Sequence, residues 1–201
     1  MAKSHVLKSD NKPPLFSFDI ETEFKNIESW VQDNKRYSKR DLENEANLLK
    51  QIAVDFIEVI ETNALTEKHL SNLLNAINIG PSGVWEPAIN KLQALLYYYE
   101  NAKLRFLEHI KNGNSRTLER LLNCISDNFS THELIEIFTF TFNSKSKKLK
   151  IKSSEIALEL RNEGLVPFLK DELIRQTDNQ VIESLQFAID NMWQPKGELT
   201  F

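Results

Sequence analysis

Apolar residues recur along most of this chain at the three- and four-residue steps of an α-helix, not at the alternate positions of a strand. The first three predicted helices carry these stripes: Ile20, Phe24, Ile27 and Val31; Leu42, Ala46, Leu49, Ala53, Phe56 and Ile60; and Leu70, Leu73, Leu74 and Ile77. Thr66 is placed to cap the third helix, and the turn Gly80–Gly83 ends it. The apolar pattern over residues 20–77 therefore predicts three amphipathic helices.

The middle of the chain continues the helical pattern. After Glu86-Pro87 the spacing predicts one long helix that ends near Gly113, and Ser115 begins the next. The apolar stripes of these two helices are Leu92, Leu95, Tyr99, Ala102, Phe106 and Ile110, followed by Leu118, Leu121, Leu122 and Ile125.

The segment Ile135–Phe142, IEIFTFTF, reads two ways. Its alternation and its β-forming residues are typical of a strand. Ser130 and Glu133, however, form a capping-box sequence in front of it. A lone strand in a helical chain would also lack a partner for its backbone groups, so we expect a helix here.

Two consecutive helix pairs share one apolar template. The last predicted helix places Val181, Leu185, Ala188 and Met192 on one face, and Leu149, Ser153, Ile156 and Leu160 stand 32 positions earlier. The helix before it groups Leu165, Phe168, Leu169 and Leu173, which match Leu134, Ile137, Phe138 and Phe142 at a shift of 31. Two helices in each unit of this length are typical of an α-solenoid.

Residues Gly164–Met192 resemble a HEAT repeat: LVPFL with Pro167 in a first helical turn, then TDNQV, then Ala188-Ile189. The resemblance covers Leu134–Met192, and Glu86–Phe129 more loosely. The chain departs from the family in its lysine-rich turn Asn143–Lys147 and in Ile182, where the family usually has arginine. The resemblance implies an all-α, right-handed α-solenoid of antiparallel helix pairs, a fold that commonly acts as a curved binding surface lined by the second helices of the pairs.

The chain has 201 residues, of which 41% are apolar, enough for a substantial core. We expect a flexible tail at residues 1–17, a single all-helical domain at 18–194 and a tail at 195–201. Within the domain, residues 18–80 form the N-terminal helices and residues 84–194 the HEAT-like pairs. Neither a signal-peptide core nor a membrane-spanning stretch occurs, and Cys124 is the only cysteine, so the expected location is the cytoplasm.

Catalytic and metal-binding patterns are not evident in the sequence. The four histidines, His5, His69, His109 and His132, lack metal-ligand spacing, and Cys124 lies beside an apolar stripe. We therefore expect a protein that is not an enzyme and holds neither a metal nor a cofactor.

Charge offers two hypotheses about a partner. The net charge of −4 argues against a general nucleic-acid binder, yet Lys145–Lys152 contains the chain's one basic cluster. Lys145, Lys148 and Lys152 share a helix face, so a nucleic-acid-binding HEAT-like protein that uses this ridge is the alternative function.

The leading hypothesis is a protein-binding module, either an adaptor or an immunity protein that neutralises a cognate bacterial toxin. Opposite the buried stripes, one helix aligns Lys148, Lys152, Glu155, Glu159 and Asn162, and the next aligns Asn179, Glu183, Gln186 and Asp190. These rows predict a docking site for a basic protein surface, unless they are simply the solvated faces of two helices. Tyr97 is a second candidate anchor, expected to share a face with Asn101 and Leu104 unless a neighbouring helix covers it.

Overall fold

A computed structural model of the protein describes residues 19–34, 42–80 and 82–194. These residues contain ten α-helices: α1 Ile20–Asn34, α2 Leu42–Thr62, α3 Glu67–Ile79, α4 Ser82–Tyr98, α5 Glu100–Asn112, α6 Ser115–Leu121, α7 Thr131–Phe142, α8 Lys147–Leu160, α9 Val166–Arg175 and α10 Asn179–Asn191. Short 3₁₀ turns occupy Leu122–Cys124 and Glu163–Leu165. The described residues include no strand, so the all-α prediction is confirmed. The expected tails, 1–17 and 195–201, lie outside them.

The chain divides into two compact units between Phe106 and Leu107, within α5. Helices α1 to α4 belong to the N-terminal unit, and α6 to α10 belong to the C-terminal unit. The expectation of a single domain over residues 18–194 stays a prediction. Across the described ranges, no helix combines the length and the apolar character that spanning a membrane would require.

In the N-terminal unit, α2 lies against α1, α3 and α4. Its buried apolar residues are Leu42, Leu49, Ile52, Ala53, Phe56 and Val59. Helix α1 buries only Ile27 of its predicted stripe. Two ion pairs add to its attachment: Lys91 Nζ lies 2.8 Å from Glu23 Oε1, and Lys50 Nζ lies 2.9 Å from Glu28 Oε1. Because Lys91 is nearly buried, its pair is the better shielded of the two.

The prediction of one long helix after Glu86-Pro87 is wrong. Helix α4 already begins at Ser82 and contains Pro87, and the helix is interrupted at Tyr99 before α5 begins. The Tyr99 hydroxyl lies 3.1 Å from Asn63 Oδ1 and 3.5 Å from the Val59 carbonyl oxygen. Tyr99 thus anchors this junction on the loop after α2, while the predicted apolar stripe is still buried throughout.

In the C-terminal unit, the ambiguous segment is the helix α7, as expected. Ser130 and Glu133 form the predicted capping box: Ser130 Oγ accepts from the Glu133 amide at 3.3 Å, and Glu133 Oε2 accepts from the Ser130 amide at 2.7 Å. Thr131, at the start of α7, is hydrogen-bonded to Asn162, which follows α8. Helices α7 and α8 therefore form an antiparallel pair.

Most of the shared apolar template is buried in the two helix pairs of this unit. In α10 all four template residues are buried, and in α8 only Leu160 of the four remains half-exposed. In α7 all four template residues are buried. In the matching template of α9, Leu165 and Leu169 are buried, whereas Phe168 and Leu173 are half-exposed. Helices α8 and α10 pack on each other, and so do α9 and α10. This arrangement of neighbouring helices is compatible with a helical repeat.

Candidate functional site

Helices α8 and α10 run parallel and are joined at both ends. At their N-terminal ends, Lys147 Nζ lies 3.5 Å from Asp178 Oδ2. At their C-terminal ends, Arg161 donates from Nη1 to the carbonyl oxygens of Asn191, at 3.1 Å, and of Gln194. Cationic groups at a helix C-terminus stabilise it because the last carbonyls lack intrahelical partners. These bonds fix the two helices as side-by-side neighbours.

Asp178 is the capping residue of α10. Its Oδ1 accepts from the amides of Gln180, at 3.0 Å, and Val181, at 3.3 Å. Desolvation is the largest single influence on this carboxyl and raises its pKa, but the two amides and Lys147 together lower the pKa below its ordinary value. The ionised form of Asp178 thus both starts α10 and holds it to α8.

The exposed sides of α8 and α10 carry four acidic side chains, Glu155, Glu159, Glu183 and Asp190, which we call the acidic face. Glu155 is 3.9 Å from Lys152, and Asp190 accepts from Gln186 Nε2 at 2.8 Å. Glu159 and Glu183 make no hydrogen bond or ion pair with any described residue. The predicted rows are therefore accessible over most of their length, and their carboxylates are weakly compensated.

Two residues of the predicted α8 row have contacts of their own. Lys148 Nζ lies 2.6 Å from Glu119 Oε1, so it links α8 to α6. Asn162 is half-buried and bonds Thr131 and the Gly164 amide. Asn162 therefore belongs to the helix packing, whereas Lys148 stays exposed beside Glu155 and Glu159 although it pairs with Glu119.

The basic cluster Lys145–Lys152 is largely used within the fold. Besides the ion pairs of Lys147, Lys148 and Lys152, Lys150 Nζ donates to Gln176 Oε1 at 2.7 Å. Only Lys145 makes no such bond with the described residues. Of the three ridge lysines, Lys148 reaches a neighbouring helix, Lys152 pairs within α8, and Lys145 lies before α8 begins. The prediction that all three share one helix face is therefore wrong.

Tyr97 belongs to the N-terminal unit, on α4, and is 59% exposed. Its ring meets that of Tyr98 edge-on at a centroid distance of 5.0 Å. The expectation that Tyr97 shares one helix face with Asn101 and Leu104 is wrong, because the interruption at Tyr99 places Tyr97 on α4 and the other two residues on α5. Asn101 is half-buried and donates to the Leu65 carbonyl at 3.5 Å, whereas Leu104 is exposed.

Sequence reasoning missed the exposed aromatic residue Phe187 on α10. It is 41% exposed and lies one helical turn from both Glu183 and Asp190. The signal was present, since Phe187 falls outside the buried stripe of Val181 and Leu185. Exposed Trp193 follows the same helix.

A cluster in the N-terminal unit has the composition of a metal site. Ligand atoms of Asp55, Glu58 and His69 all lie within 4.8 Å of one another. The Asp55 carboxylate is 1% exposed and is already hydrogen-bonded, to Gln51 Nε2 at 2.9 Å and to Asn72 Nδ2 at 2.6 Å. Its two oxygens are therefore committed to neutral amides.

The hydrogen bonds of His69 argue against metal binding at this cluster. Nδ1 accepts from the Thr66 amide at 3.3 Å as part of the cap of α3, which assigns the proton of the neutral ring to Nε2. Nε2 faces Glu58 Oε2 at 3.5 Å. A metal on Nε2 would move the proton to Nδ1, against the Thr66 N–H, whereas a ligating histidine normally donates from its second nitrogen. The cluster fits a helix cap better than a metal centre.

Cys124 is fully buried in the 3₁₀ turn after α6, as expected from the sequence. Burial raises the pKa of its thiol and keeps the nucleophilic thiolate form rare.

Comparisons with protein-family models, with curated proteins and with solved structures gave no match.

Proposed function

We propose that this protein is a non-enzymatic binding module whose acidic face docks a partner protein with a basic surface. The observation that carries the proposal is the parallel pairing of α8 and α10, which presents two carboxylate rows from one rigid support. Sites built on packed helices hold their side chains more firmly than sites on loops.

Charge balance in this region supports a basic partner. Residues 153–194 contain eight acidic side chains, two of which are Glu172 and Asp178 and have cationic partners. The three basic residues of this stretch are Arg161, Lys170 and Arg175. Arg161 bonds the end of α10 and Arg175 pairs with Glu172, so two of the three cations are occupied. The remaining carboxylates favour a complementary cationic surface and faster association with it.

We also propose that the helix pairs stack as a HEAT-like α-solenoid. Support comes from the shared buried template, from Pro167 in the first turn of α9 and from the parallel neighbours α8 and α10. In such a stack the second helices of successive pairs lie side by side and form one binding surface. The acidic face would then lie on that surface.

Binding fits the described residues better than catalysis does. The thiol of Cys124 is buried, and His69 is held in the cap of α3. A catalytic group must reach its substrate, and both of these side chains are buried.

The test is affinity capture from a native lysate of the source organism with three immobilised proteins. One is the wild type, one carries Glu155→Lys, Glu159→Lys and Glu183→Lys, and one is a matched control. The reversed variant should lose a captured protein, with affinity falling by about tenfold or more through slower association at low salt. Its melting temperature should stay close to that of the wild type, since exposed charges contribute little to stability.

The matched control carries Glu43→Lys, Glu61→Lys and Glu86→Lys. These glutamates are exposed on α2 and α4 of the N-terminal unit and make no bond with described residues, and the change in net charge is the same. The control should retain the partner. Equal capture by all three proteins would reject the acidic face.

If the neighbouring gene encodes a toxin with a basic surface, that toxin is the first purified partner to titrate, because an immunity protein is one form of the proposal.

A further inference from the structure

Phe187 exposes an aromatic ring between two carboxylates of the acidic face. Glu183 lies four residues before it and Asp190 three residues after it on α10, spacings that bring side chains together on a helix surface. All three side chains are exposed. A single exposed aromatic residue is ordinary, but one flanked by acidic groups on both sides has the chemistry of a cation-binding site.

No described cation neutralises the two carboxylates that flank the ring. Asp190 Oδ1 accepts from Gln186, while its Oδ2 makes no hydrogen bond with the described residues. Asn191 Nδ2 donates to the Phe187 carbonyl at 2.8 Å, which reinforces the last turn of α10. Among the described side chains, no cation pairs with Glu183 and none lies over the Phe187 ring. The site therefore has unused acceptors beside an unused aromatic face.

We propose that Phe187, Glu183 and Asp190 form a receptor for an arginine side chain of the partner protein, which we call the arginine receptor. This inference rests on the proposed function and specifies its partner. A planar guanidinium can stack on an aromatic ring while its N–H groups form charge-assisted hydrogen bonds with carboxylates. A lysine ammonium offers a point charge and lacks the flat, weakly hydrated face. The stacking of the guanidinium on the Phe187 ring therefore favours arginine over lysine at the receptor.

Two short acetylated peptides of equal length and charge test this selectivity, one alternating glycine with arginine and one alternating glycine with lysine. Their affinities for the full chain are measured by fluorescence anisotropy at low salt. The wild type should bind the arginine peptide about two- to fivefold more tightly, the factor that a partly exposed cation–π contact supplies. The Phe187→Leu variant should lose this preference while retaining most of its affinity for the lysine peptide.

Ile174→Ala serves as the control, because Ile174 is an exposed apolar residue on α9, outside the receptor, and it should keep the arginine preference. Circular dichroism checks that each variant is folded. Three results would each overturn the arginine receptor. The wild type binds the two peptides equally, the preference for arginine survives in Phe187→Leu, or neither peptide binds. The proposed function is judged separately by the capture experiment, in which the glutamate reversals can remove a partner whether or not arginine is preferred.

Discussion

Replacing Leu185 by alanine tests the packing that supports the acidic face. Leu185 lies in the middle of α10, is fully buried, and occupies the template position that Ser153 has in α8. Because α10 packs on both α8 and α9, a cavity at this position would loosen the support of the candidate site from within. The substitution leaves every charge of the acidic face unchanged.

The expected cost follows from the carbons removed. Leucine to alanine deletes three side-chain carbons, and at about 0.8 kcal/mol each the lost burial is about 2.4 kcal/mol. The cavity adds to this loss because a close-packed interior relaxes only in part. The free energy of unfolding of the C-terminal unit should therefore fall by about 3–4 kcal/mol.

The assay is urea unfolding followed by far-UV circular dichroism, with separate transitions fitted if the two units unfold independently. Ile174→Ala is the matched control: it also shortens a large aliphatic residue, but Ile174 is 83% exposed on α9, so its cost should be below about 0.5 kcal/mol. A loss for Leu185→Ala of less than about 1 kcal/mol, or one equal to that of the control, would refute the proposed packing of α10.

Two further predictions concern polar groups inside the helix bundles. Ser153→Ala should cost about 1 kcal/mol in urea unfolding, because the buried Ser153 hydroxyl lies 2.7 Å from Thr141 Oγ1 and 2.9 Å from the Leu149 carbonyl; no measurable cost would contradict these bonds. Addition of Zn²⁺ or of a chelator should leave the thermal melt unchanged, since the proton arrangement of His69 opposes a metal; a melting temperature that rises with Zn²⁺ concentration would contradict the proton assignment.

The helix periodicity located the elements well where one face is apolar, and α7 shows why the alternation in its sequence did not indicate a strand. Thr139 and Thr141 occur where a strand would place polar residues, yet their hydroxyls bond the carbonyls of Ile135, at 2.7 Å, and of Phe138, at 3.1 Å. A threonine that bonds back to the preceding turn fits a helix. The capping box of Ser130 was the more reliable local signal, because it satisfies amides that only a helix leaves unpaired.

The helix break at Tyr99 could not be predicted from the local sequence pattern. The apolar stripe runs through α4 and α5 without losing its period, so the sequence predicts continuity. What distinguishes Tyr99 is a hydroxyl within reach of Asn63 and Val59, residues more than thirty positions earlier. Asp55 poses the same difficulty, since its burial depends on an amide of Asn72 in the next helix.

The distribution of charge on the surface was the property that the sequence predicted least well. A run of lysines from Lys145 to Lys152 predicts a basic surface when read along the chain, but folding brings it beside Glu119, Gln176 and Asp178. Each of these contacts uses a positive charge or an ammonium donor to join α8 to α6 or to the turn between α9 and α10. Lys147, Lys148 and Lys150 count toward the net charge of the chain, but in the fold they contact groups outside α8. The carboxylates on the outer sides of α8 and α10 have fewer partners, and this separation of charge favours the proposed basic protein partner over the alternative of a nucleic acid on the lysine ridge.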